Sequence, residues 1–116
     1  MKIITLEPDF PCSKLGDEEV TLTIKLNNQL IVSTVLLGIK PILSGDISDN
    51  FKIGKASKLI GKKLIIFSNV TDWREDTDII EISYILKCGS FEQITKQNNT
   101  VKDKETIEYR VYYDFT

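Results

Sequence analysis

Alternation of apolar and polar positions, rather than helical periodicity, organises this chain. In "VTLTIKLNNQLIVSTVLL" (20–37), Val20, Leu22, Ile24 and Leu26 share one face, and Thr21, Thr23 and Lys25 share the other. That period of two marks a half-buried strand. Asn27-Asn28 suits the positive-φ positions of a two-residue turn, which predicts 30–37 as the hairpin partner of 20–26. "ETIEYRVYYDF" (105–115) repeats the pattern, with Ile107, Tyr109, Val111, Tyr113 and Phe115 on the buried side. Residues 64–70 and 79–87 read as two further strands, the second alternating through Ile80, Ile82, Tyr84 and Leu86. "TDWREDTD" between them reads as a hairpin-type connection. Shorter strands are predicted at 2–6 and 90–96. Residues 8–18 and 41–58 read as irregular connections, and "KQNNTVKDKE" (96–105) as a polar surface turn.

Seven to eight strands with turn signals at regular spacing predict an all-β fold. The expected form is an antiparallel β-sandwich of Greek-key or jelly-roll-like connectivity, with a closed barrel as the alternative. At 116 residues the chain reads as one domain, 1–116, large enough for a core without staples. One short helical turn is expected near 55–60. Ala56, Leu59 and Ile60 would face the sandwich, and Lys55, Lys58 and Lys62 would face water. Gly61 would supply the left-handed residue that stops the turn.

That turn lies inside "GKASKLIGKKLI" (54–65), a stretch that superficially suggests a phosphate loop. The G-x-x-x-x-G-K-[ST] pattern fails here on spacing. Lys63 stands where a magnesium-binding hydroxyl belongs, and a strand rather than a helix follows. What remains is charge: Lys52, Lys55, Lys58, Lys62 and Lys63 fall close together with no acid among them. They form a candidate contact patch for an acidic partner or an anionic surface.

The opposite charge gathers in "VTDWREDTDIIE", which holds Asp72, Glu75, Asp76, Asp78 and Glu81. A strand ending in Val70-x-Asp72-Trp73 and then an acidic loop resembles the calcium loop of C2 domains, which are also β-sandwiches. That resemblance implies calcium held by Asp72, Asp76 and Asp78, and anionic-lipid binding. The chain departs from the family at Arg74, where a second Asp is usual, and at Ile79-Ile80, where a Gly is usual. The plainer reading of Asp72, Glu75, Asp76 and Asp78 is a solvated hairpin tip. Basic and acidic segments separated by one strand should lie toward opposite ends of the sandwich, an arrangement that favours head-to-tail association.

Composition narrows the function classes. Net charge is −2, and all but two (Arg74, Arg110) of the 15 basic residues are lysine. That argues against nucleic acid, which favours a basic surface and arginine forks. The chain has no histidine, the commonest general base, and no G-x-S-x-G elbow, so an enzyme is not expected. Cys12 and Cys88 have no metal-ligand spacing and read as buried thiols. No cofactor is expected. Neither a leader nor a spanning segment is visible in the sequence, so the expected setting is cytoplasmic and a membrane role is not expected. The leading expectation is a non-catalytic protein-interaction or structural module, with a protein partner or self-association. The alternative is a small-ligand or glycan binder presenting Trp73 and Tyr112 as aromatic platforms.

Overall fold

The computed structural model describes residues 2–27, 30–45, 49–73, 78–102 and 104–116. The strands are β1 (Lys2–Leu6), β2 (Asp9–Phe10), β3 (Glu19–Leu26), β4 (Leu30–Leu37), β5 (Lys40–Gly45), β6 (Phe51–Lys55), β7 (Lys63–Thr71), β8 (Ile79–Cys88), β9 (Phe91–Thr100) and β10 (Thr106–Phe115). One helical turn, α1 (Ala56–Leu59), and a 3-10 turn at Cys12–Lys14 complete them. The strands form two packed sheets. Sheet A runs β1-β10-β7-β4-β5, with β2 also on β10, and sheet B runs β6-β3-β8-β9. The expected all-β sandwich is therefore present. No helix among the described residues is long and apolar enough to cross a membrane.

The inward rows are those the alternation marks. Val20, Leu22, Ile24, Ile80, Ile82, Tyr84, Leu86, Ile107, Tyr109, Val111 and Tyr113 are all fully buried. Each aliphatic side chain so removed from water contributes about 1.5–3 kcal/mol before entropy is counted. β10 lies at the centre of this arrangement. It pairs antiparallel with β7, and in parallel with β1 and then β2.

Neither expected hairpin forms. β3 and β4 lie in different sheets, as do β7 and β8. β3 already has β6 on one side and β8 on the other, so no edge is left for β4. Asn27 extends the β3–β8 ladder instead of turning. Its N–H donates to Glu81 O (3.2 Å) and its Nδ2 to Ile79 O (2.8 Å), while its Oδ1 accepts from Glu81 N (3.0 Å). Asn28, the other half of the expected turn, lies outside the described residues. The actual tight hairpins are β4–β5 through Gly38-Ile39 and β8–β9 through Gly89-Ser90. Each has positive φ at the first loop residue, 64° at Gly38 and 59° at Gly89, the pattern of a II′ turn.

Three further differences concern extent. The 41–58 connection contains β5 and β6. The "polar turn" at 96–105 is strand as far as Thr100, in unbroken register with β8 from Cys88↔Phe91 to Ile79↔Thr100. At α1, Ala56 and Leu59 are buried as expected, but Ile60 is 49% exposed. Ile60 (φ −53°, ψ 128°) and Gly61 (φ 82°) are the central residues of a type II turn closed by Lys62 N donating to Leu59 O at 2.9 Å.

β9 lacks an apolar inner row that would mark it as a strand. Its half-buried side is Phe91, Gln93, Thr95, Gln97 and Asn99, polar beyond the first residue. Tyr109 Oη donates to Asn99 Oδ1 and Tyr113 Oη to Thr95 Oγ1, both at 2.7 Å, across the two sheets. Gln93 Nε2 donates to Asp9 O (2.8 Å), and Phe10 packs edge-on against Phe91. These contacts tie the inner side of β9 to β10 and β2 of the opposite sheet.

Tyr84 makes the contrast. Its hydroxyl lies beside Ser68, but Ser68 Oγ is engaged with Ser33 Oγ at 2.8 Å, and Tyr84 Oη reaches no partner in hydrogen-bond geometry among the described residues. Tyr113→Phe should therefore cost about 1 kcal/mol and leave Thr95 poorly satisfied. Tyr84→Phe should cost nothing or stabilise. Urea unfolding of the two variants checks the ordering. Burial pushes Tyr109 and Tyr113 up to about 12, and pushes Tyr84 higher still. The unfolded chain thus loses these protons first. Stability should be intact below about pH 10 and fall as pH rises from 10 toward 12, as denaturation midpoints against pH would record.

Candidate functional site

The five lysines of the basic segment do not converge on one face. Lys52 pairs in register with outward-facing Thr21 on sheet B, and Lys55 lies opposite Glu19. Lys63 lies on the outer face of sheet A and is ion-paired with Asp114 at 3.5 Å. Lys58 and Lys62 are exposed around α1, at the end between the sheets. The fold also brings acids that the segment lacks. Ala56 N donates to Glu18 O, and Ser57 Oγ donates to Asp17 Oδ1. Register and topology thus interleave the basic segment with Asp17, Glu18, Glu19 and Asp114.

At the far end of β7, Asp72 is buried and Asp78 is exposed. The Asp72 backbone is built into the sandwich, its N–H donating to Glu105 O (2.9 Å) and its carbonyl accepting from Lys104 N (2.8 Å). Glu75 and Asp76 lie outside the described residues. Among those described, no three acidic, Cys or His side chains form a metal-holding group.

The two aromatics proposed as ligand platforms are far apart. Tyr112 sits beside Ile65 near the start of β7. Trp73, 68% exposed, lies beyond Thr71, so roughly 20 Å of strand separates them. Two open depressions on the outer face of sheet B, of about 200 and about 190 Å³, are lined largely by polar side chains such as Lys25, Ser83 and Lys96 or Thr23, Asn50 and Glu92. Both are smaller than the apolar clefts that usually enclose drug-sized ligands.

A feature that patterning did not single out is the outer face of sheet A. Cross-strand register aligns Leu36, Ile65 and Tyr112 in one row, and Thr34, Phe67 and Arg110 in the next. Phe67 and Tyr112 meet edge to face, with centroids 6.2 Å apart at 87°. Val32, 53% exposed, and Ile3, 48% exposed, extend the same face. Ion pairs Lys63–Asp114 and Arg110–Glu108 border it. The signal was in the sequence: Ile65 and Phe67 are apolar at the outward positions of a strand whose inward positions Leu64, Ile66 and Val70 are apolar too.

Cys12 and Cys88 are free and buried. Desolvation, with Cys88 nearby, pushes Cys12 up to about 11, and desolvation with Glu18 and Glu19 also raises Cys88. Both stay thiols at neutral pH, the unreactive form. Neither should react with iodoacetamide in the folded protein, and both should react in urea; mass spectrometry of alkylated peptides reads this directly.

No protein-family model matches the chain, and no curated protein or solved structure matches it either.

Proposed function

We propose that this protein is a non-catalytic interaction module in which a rigid sandwich presents the outer face of sheet A to another protein chain. The observation that carries this reading is the apolar centre formed by Leu36, Ile65, Phe67 and Tyr112, bordered by ion-paired charges. An apolar, aromatic centre within a polar rim is the anatomy of protein interfaces. Aromatic side chains in such a centre are the usual energetic anchors. The buried, protonated state of both thiols supports the rest of the reading, since neither is available as a nucleophile. Two free cysteines also suit a reducing, cytosolic setting.

A photo-crosslinking residue at Leu36 tests the proposal in the native cell. One protein partner should be captured there, and capture should be lost when Phe67→Lys is added without a change in melting temperature. The reading is overturned if position 36 captures no more than a control position on the opposite face and far from β9, such as Lys52 on β6.

A further inference from the structure

Sheet edges differ sharply in how they are protected. β5 is short, contains Pro41 and carries a register shift against β4, and β6 is shifted against β3 near Gly54. β1 has only five residues. Bulges, prolines and short length are the ordinary defences against unwanted strand pairing. β9 has none of these. It is ten residues long, pairs with β8 in continuous register, and has no other strand beside it among the described residues. Every second residue of an antiparallel edge strand turns its N–H and C=O away from the sheet. Among the described residues, no backbone partner outside the sheet ladder is found for 91–100. Beyond the two-residue Gly89-Ser90 turn, the residues whose N–H and C=O turn away from β8 are Glu92, Ile94 and Lys96, and all three are exposed.

We infer that β9 pairs with β9 of a second copy of this chain, antiparallel and about a two-fold axis through Ile94. The occupant is specified by the charge order. Outward along β9 stand Glu92, Ile94 and Lys96. In the register centred on Ile94, Glu92 faces Lys96 of the other copy, Lys96 faces its Glu92, and the two Ile94 side chains meet at the axis. No other antiparallel self-register sets these two charges opposite each other. Each Glu92 would then lie between Lys96 of the other copy and its own Lys87, with which it is already paired at 3.6 Å. Ile94, 54% exposed and opposite Ile85, would extend one apolar row through both molecules. A two-fold contact of this kind closes on itself and stops at the dimer.

The ladder spans 91–97 and is ended by the Gly89-Ser90 turn, so it is shorter than most stable interfaces and belongs among the weak ones. Opposite charges across a strand pair add little, but like charges there destabilise. Charge reversal should therefore break the register, and matched reversal should restore it. In sedimentation velocity up to about 1 mM protein, the wild-type chain should show a concentration-dependent dimer. Glu92→Lys places Lys opposite Lys, and Lys96→Glu places Glu opposite Glu. Each should weaken the dimer about tenfold or more. An equimolar mixture of the two variants should recover association as a heterodimer, and so should the chain carrying both changes. Circular dichroism melts establish that each variant is folded. A wild-type chain that stays monomeric throughout, or single variants that associate like wild type, or a mixture that recovers nothing, overturns the inference. Because β9 borders sheet B, none of these outcomes bears on capture through Leu36 and Phe67.

Discussion

Burial of β10 sets the terms for the layer packed against it: two of its tyrosine hydroxyls, those of Tyr109 and Tyr113, cross to the opposite sheet and find their acceptors there. A hydroxyl buried without a partner costs as much as a good hydrogen bond gains. β10 is the most fully buried strand, with Ile107, Tyr109, Val111, Tyr113 and Phe115 all at most 2% exposed. Its tyrosines therefore need acceptors from the opposite layer, and β9 supplies them through Asn99 and Thr95. That requirement accounts for Thr95 and Asn99 on the inner side of β9, where Gln93 in turn reaches Asp9 O.

This chain of causes also separates what was legible from what was not. Strands whose inner rows are aliphatic or aromatic, such as 20–26, 79–87 and 105–115, stand out by alternation. β9 beyond Lys96 does not, because its inner positions are Gln97 and Asn99, and the reason Asn99 faces inward is Tyr109 on the opposite sheet. Alternation identifies the face a residue occupies, not the strand beside it. Val20, Leu22 and Ile24 reach the core equally well whether the next strand folds back alongside them or crosses to the opposite sheet. Asn27-Asn28 was compatible with a hairpin, but the decision rested on β6 and β8, which occupy both sides of β3. Neither neighbour is local in sequence.

The same limit applies to the candidate sites. A run of lysines reads as one patch along the chain, yet β6, α1 and β7 carry it from one outer face to the other. Register then sets Glu19 against Lys55 and Asp114 against Lys63. The outer face of sheet A shows the reverse. Leu36, Ile65, Phe67 and Tyr112 come from three strands distant in sequence and form one surface only through their pairing. Charge runs along a β chain are dispersed by folding, and outward apolar residues are collected by it.

β9 is an ordered strand as far as Thr100, held from beneath by polar contacts. Residue-resolved amide hydrogen exchange in dilute protein should therefore show alternating protection through 91–100, with amides directed at β8 slow and the intervening ones fast. Uniformly fast exchange from Lys96 to Thr100 would mean that this segment is a surface turn after all, and would contradict this reading.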